Sequence, residues 1–404
     1  MDLSGKQILL GLGGGIAAYK CLELIRRLRE CGATVIPVPT AAALQFVTPM
    51  SLQALSGNVV HDNLFSLEQE HGMRHIRLAR EADLVVVAPA TADLLARLAN
   101  GLADDLLTTL LLARKGAVLL APAMNAAMWD HPATQRNVAR LQEDGLFFIG
   151  PENGALACGE EGAGRMAEPA HLLEEITRLL TPALLAGRRV LITAGPTREA
   201  LDPVRYLSNR SSGRMGWAVA MAARRLGAEV TLIHGPVSLP SPWSVRCLPV
   251  VSAHEMLEAV QQQWQEQTPD LVVMTAAVGD FRPREASADK ISRGKEAITL
   301  ELVPNADILA GLVTRRGQAS RPLICGFAAE TGQAQERGRA KRARKGCDLM
   351  VVNDVLEAGC GFDVPTNRVT LIDNQGNEEN WPLLSKEAVG ERLMRHLATR
   401  LGGV

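Results

Sequence analysis

The sequence predicts an α/β protein built as two tandem Rossmann-like domains with mostly parallel sheets. Three observations lead there. Short Leu-rich or β-branched runs alternate with amphipathic helical stretches along the chain, the pattern of parallel strands joined by crossover helices. The alternation starts twice, near Gln7 and again near Arg189. Each start is a strand running into a glycine-rich turn and a helix, a geometry that aims backbone N–H groups at phosphate.

In the first half the expected strands are Gln7 to Leu12, Thr34 to Val38, Leu84 to Ala88, Val118 to Ala121 and Phe147 to Gly150, with helices over Ile16 to Glu30 and Ala92 to Leu112. The second set of strands is Arg189 to Thr193, Glu229 to His234, Leu271 to Thr275, Leu323 to Phe327 and Leu349 to Asn353. Leu179 to Arg188, carrying Thr181, Pro182 and Gly187, is the expected joint and is too short for a long tether. The expected domains are therefore 1–182 and 187–404. A chain of 404 residues suits two or three domains of ~150 residues, and 47% hydrophobic content provides each with a core.

A formal charge of -1 and a pI near 6.7 argue against the broad positive field that non-specific nucleic-acid binding requires. The basic run Arg337 to Lys345 lacks interleaved aromatics and reads as a solvated helix face. The longest charge-free stretch, Cys31 to Val60, is broken by Pro37, Pro39 and Pro49, unlike the ~20-residue apolar span a bilayer requires. The N-terminus lacks a secretory cleavage pattern. Seven cysteines without a CxxC pair fit a reducing compartment and offer no zinc spacing. The expectation is a soluble cytoplasmic protein with no nucleic-acid or membrane partner.

The first glycine turn is Gly11-Leu12-Gly13-Gly14-Gly15-Ile16. Ile16 stands where a dinucleotide fingerprint has its third glycine, and the next strand ends in Pro39-Thr40 without the acid that holds a ribose hydroxyl. A phosphate-bearing mononucleotide fits better than NAD; a plain tight turn is the alternative on this motif alone.

Further blocks carry a family resemblance. Gly14-Gly15-Ile16-Ala17-Ala18-Tyr19-Lys20, Phe46-Val47-Thr48-Pro49, His75-Ile76, Ala88-Pro89-Ala90-Thr91-Ala92-Asp93, Pro122-Ala123-Met124-Asn125-Ala126-Ala127-Met128-Trp129 and Ala157-Cys158-Gly159-Glu160 resemble the flavin-dependent cysteine decarboxylases in content and order. Ala194-Gly195-Pro196-Thr197-Arg198-Glu199, Asp202-Pro203-Val204-Arg205, Ser208-Asn209-Arg210-Ser211-Ser212-Gly213 and Gly326-Phe327-Ala328-Ala329-Glu330-Thr331 resemble the phosphopantothenate cysteine ligases. Together they are similar to the bacterial bifunctional phosphopantothenoylcysteine decarboxylases and phosphopantothenate cysteine ligases of coenzyme A synthesis. The resemblance implies a flavodoxin-like flavoprotein domain followed by a nucleotide-binding ligase domain.

Chemistry gives each block a task. Decarboxylating a cysteine amide needs an electron sink beside the departing carboxylate; oxidising the thiol to a thioaldehyde creates one, and a flavin can take the hydride and return it after carbon dioxide leaves. His75, whose imidazole titrates near neutral pH, would manage the thiol proton; its alternative is a surface or capping histidine. By resemblance Asn125 binds the substrate carboxylate and Cys158, on a glycine-flanked loop, donates the final proton. The other six cysteines read as small buried hydrophobes. The implied cofactor is FMN, with Gly14, Gly15, Thr40, Ala88 and Thr91 as its expected contacts. Relatives usually carry a Ser or Thr within the segment that here reads Gly13-Gly14-Gly15, so the phosphate would be left to backbone amides.

The ligase half must activate a poor electrophile, and the resemblance implies CTP, an acyl-cytidylate and release of pyrophosphate before cysteine attacks. Gly195 and Ser211-Ser212-Gly213 offer donors to phosphate, and Lys290, Lys341 and Lys345 offer charge. Met274, Thr275, Ala276, Asp280, Ala306, Asp307, Ile308, Leu309 and Phe327 complete the expected CTP set, although strand-to-helix turns and N-caps explain several of them equally. Asn209 is the implied holder of the acyl-cytidylate and Lys290 the activating residue. The family's lysine-rich stretch here reads Lys290-Ile291-Ser292-Arg293, and its usual proline is Ala306. No acidic cluster marks a metal, so Mg2+ is inferred from the triphosphate chemistry. The expected partners are phosphopantothenate, cysteine and CTP. By resemblance, trimeric decarboxylase and dimeric ligase contacts would close a dodecamer. A flavin-binding regulatory protein with an inactive ligase half and a nucleic-acid binder using the basic helix are the competing readings.

Overall fold

The computed structural model describes residues 2–64, 74–155, 159, 161–293 and 297–402, with the backbone alone at 74 and 75. It divides into two units, Met1–Thr181 and Pro182–Val404. The first holds β1 (Gln7–Leu12), β2 (Thr34–Pro39), β3 (Leu84–Ala90), β4 (Val118–Pro122) and β5 (Phe147–Phe148) in a parallel sheet of order β2-β1-β3-β4-β5. This is the flavodoxin-like strand order, in which ligands collect where the order reverses, between β1 and β3. The central strands β3 and β4 are apolar and buried throughout because helices cover both faces. Leu9, Val85, Val87 and Leu120 share one core with α3 (Arg74–Glu81), α4 (Ala92–Ala99), α5 (Leu106–Ala113) and α7 (Pro132–Glu143). On this chain α1 is Tyr19–Glu30, α2 Pro49–Ser56 and α6 Ala126–Asp130, and α8 (Pro169–Leu180) packs on α1.

Two helix expectations change. The helix expected over Ile16 to Glu30 opens as a 3-10 turn, Ile16–Ala18, before α1. That expected over Ala92 to Leu112 is two helices, because Gly101 takes φ +67 after the Asn100 cap and Asp105 starts α5 with a capping box to Thr108. A hairpin absent from the sequence reading, β6 (Glu152–Ala155) and β7 (Glu161–Arg165), follows β5.

The second unit has β8 (Arg189–Ala194), a small hairpin of β9 (Arg198–Ala200) and β10 (Tyr206–Ser208), then β11 (Glu229–His234), β12 (Arg246–Pro249), β13 (Leu271–Met274), a second hairpin of β14 (Phe281–Pro283) and β15 (Leu302–Pro304), β16 (Leu323–Glu330), β17 (Leu349–Asp354), β18 (Thr366–Asn367), β19 (Thr370–Asp373) and β20 (Glu378–Asn380). Its main sheet runs β12-β11-β8-β13-β16-β17-β19-β20. The first six strands are parallel in Rossmann order, and β19 and β20 extend them antiparallel. Alternate residues feed opposite cores. Val190 and Ile192 join α9 (Arg214–Arg225) and α13 (Lys386–Arg400), while Leu191 joins α10 (Ala253–Glu266) and α11 (Ile308–Arg316). The basic run falls on α12 (Ala334–Lys345).

Candidate active sites

Each unit has a cavity at the C-terminal ends of its parallel strands. In the first, a cavity of about 1000 Å3 is lined by Gly13 to Ala17 after β1, Thr40 after β2, Thr91 after β3 and Asn125 after β4. Glycine is sterically required in this turn. A Cβ on Gly13 would lie 2.3 Å from the Pro89 carbonyl oxygen, and one on Gly14 would lie 2.3 Å from the Ala42 Cβ. Gly15 has its nearest neighbour at 3.7 Å and room for a side chain. Thr40 fixes the β2 exit by donating to the Leu12 carbonyl at 3.0 Å, and Thr91 caps α4 by accepting from Leu94 N.

Asn125 caps α6 by accepting from Ala127 N at 2.8 Å, and the loop it occupies is gripped by the unforeseen hairpin. Met124 N donates to the Gly164 carbonyl at 3.0 Å, and a Cβ on Gly164 would sit 2.2 Å from the Met124 oxygen. Ala88 departs from its expected role. It is fully buried in β3, where its carbonyl accepts from the Cys21 thiol at 2.9 Å, and it does not line the cavity. His75 lies on α3, with its side chain outside the described atoms, and Cys158 falls outside the described residues. Of the remaining cysteines, Cys21, Cys325, Cys347 and Cys360 are buried, whereas Cys31 and Cys247 are half-buried, short of the burial expected for all six.

In the second unit a cavity of about 480 Å3 gathers the turn after β8, the opening of α9, the β13 exit and the opening of α11. Met274, Thr275, Ala276, Asp280, Ala306, Asp307, Ile308, Leu309, Phe327, Lys341 and Lys345 all line it, as does Asn209. Hydrogen bonds hold its walls. Asn209 donates to the Ala277 carbonyl at 2.8 Å, Thr275 to the Thr193 carbonyl at 2.6 Å, and Asn305 to the Gly279 carbonyl at 2.8 Å. Asp307 caps α11 and pairs with Lys345, which with the Ala310 amide holds its carboxyl below the usual range against the opposing effect of burial. Lys341 pairs with Glu330 at 3.4 Å.

Lys290 stands apart from the expected CTP set: it is exposed and does not line this cavity. Its segment is nonetheless anchored. The buried Asp202 carboxylate accepts from the Ile291 amide at 3.1 Å and from Arg205, whose guanidinium also donates to the Ile291 carbonyl at 2.6 Å. Sequence reasoning passed over Arg214, Asn353 and Lys386, which also line the cavity. Lys386 had no signal to find it by, since it sits in an ordinary amphipathic C-terminal helix.

Residues 1–181 match the family model described as Flavoprotein, and residues 185–401 match the DNA/pantothenate metabolism flavoprotein C-terminal domain. Among curated proteins, the coenzyme A biosynthesis bifunctional protein CoaBC of Vibrio cholerae is 48% identical over 97% of this chain and 98% of its own length. The protein of the same name from Escherichia coli K12 is 45% identical over 99% of this chain and 98% of its own length. The chain belongs to this family. It is a bifunctional enzyme of coenzyme A biosynthesis, pairing a flavoprotein decarboxylase unit with a ligase unit. Among solved structures, the C-terminal domain of a CoaBC protein aligns at 38% identity and TM-score 0.46, covering 55% of this chain and 98% of that one. Among the described residues no helix is long and apolar enough to cross a membrane.

Proposed function

We propose that this enzyme joins phosphopantothenate to cysteine at the expense of CTP and then decarboxylates phosphopantothenoylcysteine to phosphopantetheine, the first step in residues 182–404 and the second in 1–181. The observation that supports the reading is that Gly14, Gly15, Thr40, Thr91 and Asn125 line one cavity, and Asn209, Thr275, Asp307, Lys341 and Lys345 another, each at the C-terminal edge of its sheet.

The first cavity suits FMN, since Gly13 and Gly14 let the turn after β1 pack tightly against Pro89 and Ala42 while its backbone lines the cavity, and the adjoining turns of Thr40 and Thr91 lie at the strand-order reversal. FMN supplies a reversible hydride acceptor there. The chain's own residues do the rest. Asn125 donates its amide to the substrate carboxylate without adding a charge that would oppose its departure. His75 takes the thiol proton, and Cys158 returns a proton to carbon. Exposed Ile16, Tyr19 and Met128 at the same cavity suit cover by further copies of the chain in a trimer, and exposed Tyr206, Phe281 and Leu302 on the two ligase hairpins suit a dimer. Combining the two contacts gives the dodecamer, in a cytoplasmic setting.

In the second cavity Thr275, Ala276 and the α11 turn from Ala306 to Leu309 hold cytidine. Asn209 retains the acyl-cytidylate for attack by the cysteine amine, and Lys290, carried on the Asp202–Arg205 anchor, offsets charge as pyrophosphate leaves. Among the described residues no group of three His, Cys, Asp or Glu side chains could hold a metal ion. Mg2+ therefore comes with the triphosphate as part of the substrate. Mass analysis of products from phosphopantothenate, cysteine, CTP and Mg2+ tests the reading: phosphopantetheine, CMP, pyrophosphate and carbon dioxide are expected in equal amounts. A yellow protein that forms none of them would be a flavin-binding regulator instead.

A further inference from the structure

The ligase cavity contains more cations than the sequence motifs supply, and they differ in how they are neutralised. Lys341 and Lys345 are each paired with a carboxylate, Glu330 and Asp307. Arg214 and Lys386 line the same cavity, and among the described residues neither forms an ion pair, Asp363 and Glu387 acting on Lys386 only through their charge. Lys386 is only 5% exposed. Its ammonium group donates to the carbonyls of Phe362 at 3.0 Å and Gly361 at 3.4 Å. Ser212 donates to the same Phe362 oxygen at 2.8 Å, which puts the ammonium beside the turn that opens α9.

Helix packing explains why Lys386 arrives there. A Cβ on Gly390 would lie 2.8 Å from the Ala218 carbonyl carbon, so α13 and α9 touch backbone to backbone. Lys386 and Gly390 are one turn apart on one face of α13, as Arg214 and Ala218 are on α9. The two helices thus run in the same direction and bring Lys386 and Arg214 together at their N-terminal ends, where burial and then Arg214 disfavour the charged form of Lys386 and the smaller opposing effects of Asp363 and Glu387 do not offset them. Two carbonyls alone could be satisfied by a neutral amide side chain. A buried ammonium beside a second cation and facing a cavity is the arrangement expected where an anion of high charge completes the neutralisation.

We propose that Lys386, together with Arg214, binds the polyphosphate oxygens of the nucleoside triphosphate in the ligase cavity. This rests on the ligase reading above. The test uses the full chain and measures binding of Mg-CTP, inorganic pyrophosphate, CMP and phosphopantothenate by calorimetry. Lys386→Gln and the exposed Arg214→Gln should each weaken Mg-CTP and pyrophosphate about tenfold or more, the scale of one lost charge-assisted contact. CMP and phosphopantothenate binding should be unchanged, and Lys386→Arg should restore most of the affinity. Unchanged Mg-CTP binding in both glutamine variants would overturn the proposal while leaving the ligase reading intact. Equal weakening of CMP and Mg-CTP with a lowered unfolding midpoint would reduce Lys386 to a tether of the Gly361–Phe362 turn, and selective loss of phosphopantothenate would reassign the cations to the other substrate's phosphate. Wild-type protein that binds none of the four would overturn both readings.

Discussion

Gly13 and Gly15 are identical in the sequence and opposite in consequence. A Cβ at Gly13 would press on the Pro89 carbonyl at 2.3 Å, a backbone atom that cannot swing aside. Gly13→Ala should cost about 1–3 kcal/mol through overpacking, and the same displacement should strip the purified protein of its yellow colour. Gly15→Ser has free space and should keep both stability and flavin content, as read from the 450 nm absorbance and the unfolding midpoint. Colourless Gly15→Ser with yellow Gly13→Ala would reverse the steric assignment. Asp202 is decided by charge. The Arg205 guanidinium beside it, with the amides of Val204, Arg205 and Ile291, holds its carboxyl well below the usual carboxylate range despite burial. A depressed folded-state value means that the stabilisation is complete above the unfolded value of ~3.9 and is lost as pH falls below it. Asp202→Asn should therefore lower the unfolding midpoint of the ligase unit by a constant amount between about pH 5 and 8, with the difference closing below about pH 4. The same variant should slow pyrophosphate release, because the Lys290 segment loses its anchor. A gap that widens in acid would remove Asp202 from this role.

Among the elements, the parallel strands were legible because each is a short apolar run bounded by turn residues, and Gln7–Leu12 and Glu229–His234 match residue for residue. Ala92 to Leu112 misled because its apolar spacing continues through Asn100 and Gly101, where cap chemistry outweighs periodicity. The hairpins β6–β7, β9–β10 and β14–β15 were missed for a different reason: β6–β7 is polar and glycine-rich, the strands of the other two are only three residues long, and all stabilise by pairing, which composition does not reveal. Thr275, Asp307 and other residues of continuous motifs line the ligase cavity, as the sequence led one to expect, whereas Ala88 and Lys290 do not line theirs and the place of Lys386 depends on how α13 packs against α9. That packing is testable through Gly390, whose missing side chain permits the close approach. Gly390→Leu should separate the two helices, destabilise the ligase unit by about 1–3 kcal/mol and reduce CTP-dependent pyrophosphate release, while flavin content and decarboxylation stay at wild-type levels. Loss of flavin in that variant would show that the effect is not confined to the second unit.

For the whole molecule the governing fact is that each sheet has its own cores. Leu9, Val85 and Leu120 are buried among helices of residues 1–181, and Val190, Leu191 and Ile192 among helices of 182–404. The segment between α8 and β8 is held within the second unit, where Leu185 N donates to the Leu226 carbonyl at 2.8 Å and a Cβ on Gly227 would meet Ala183 at 3.1 Å. A cut at Thr181–Pro182 therefore severs no strand and leaves these contacts with the piece they stabilise. Residues 1–181 and 182–404, produced separately, should each unfold cooperatively. The first should be yellow and release carbon dioxide from phosphopantothenoylcysteine, and the second should be colourless and release pyrophosphate from CTP in the presence of phosphopantothenate. Mixing them should restore phosphopantetheine formation from phosphopantothenate and cysteine, since the intermediate can diffuse from one cavity to the other. Flavin recovered with the second piece, or a first piece that folds only when the second is present, would show that the boundary between the activities lies elsewhere.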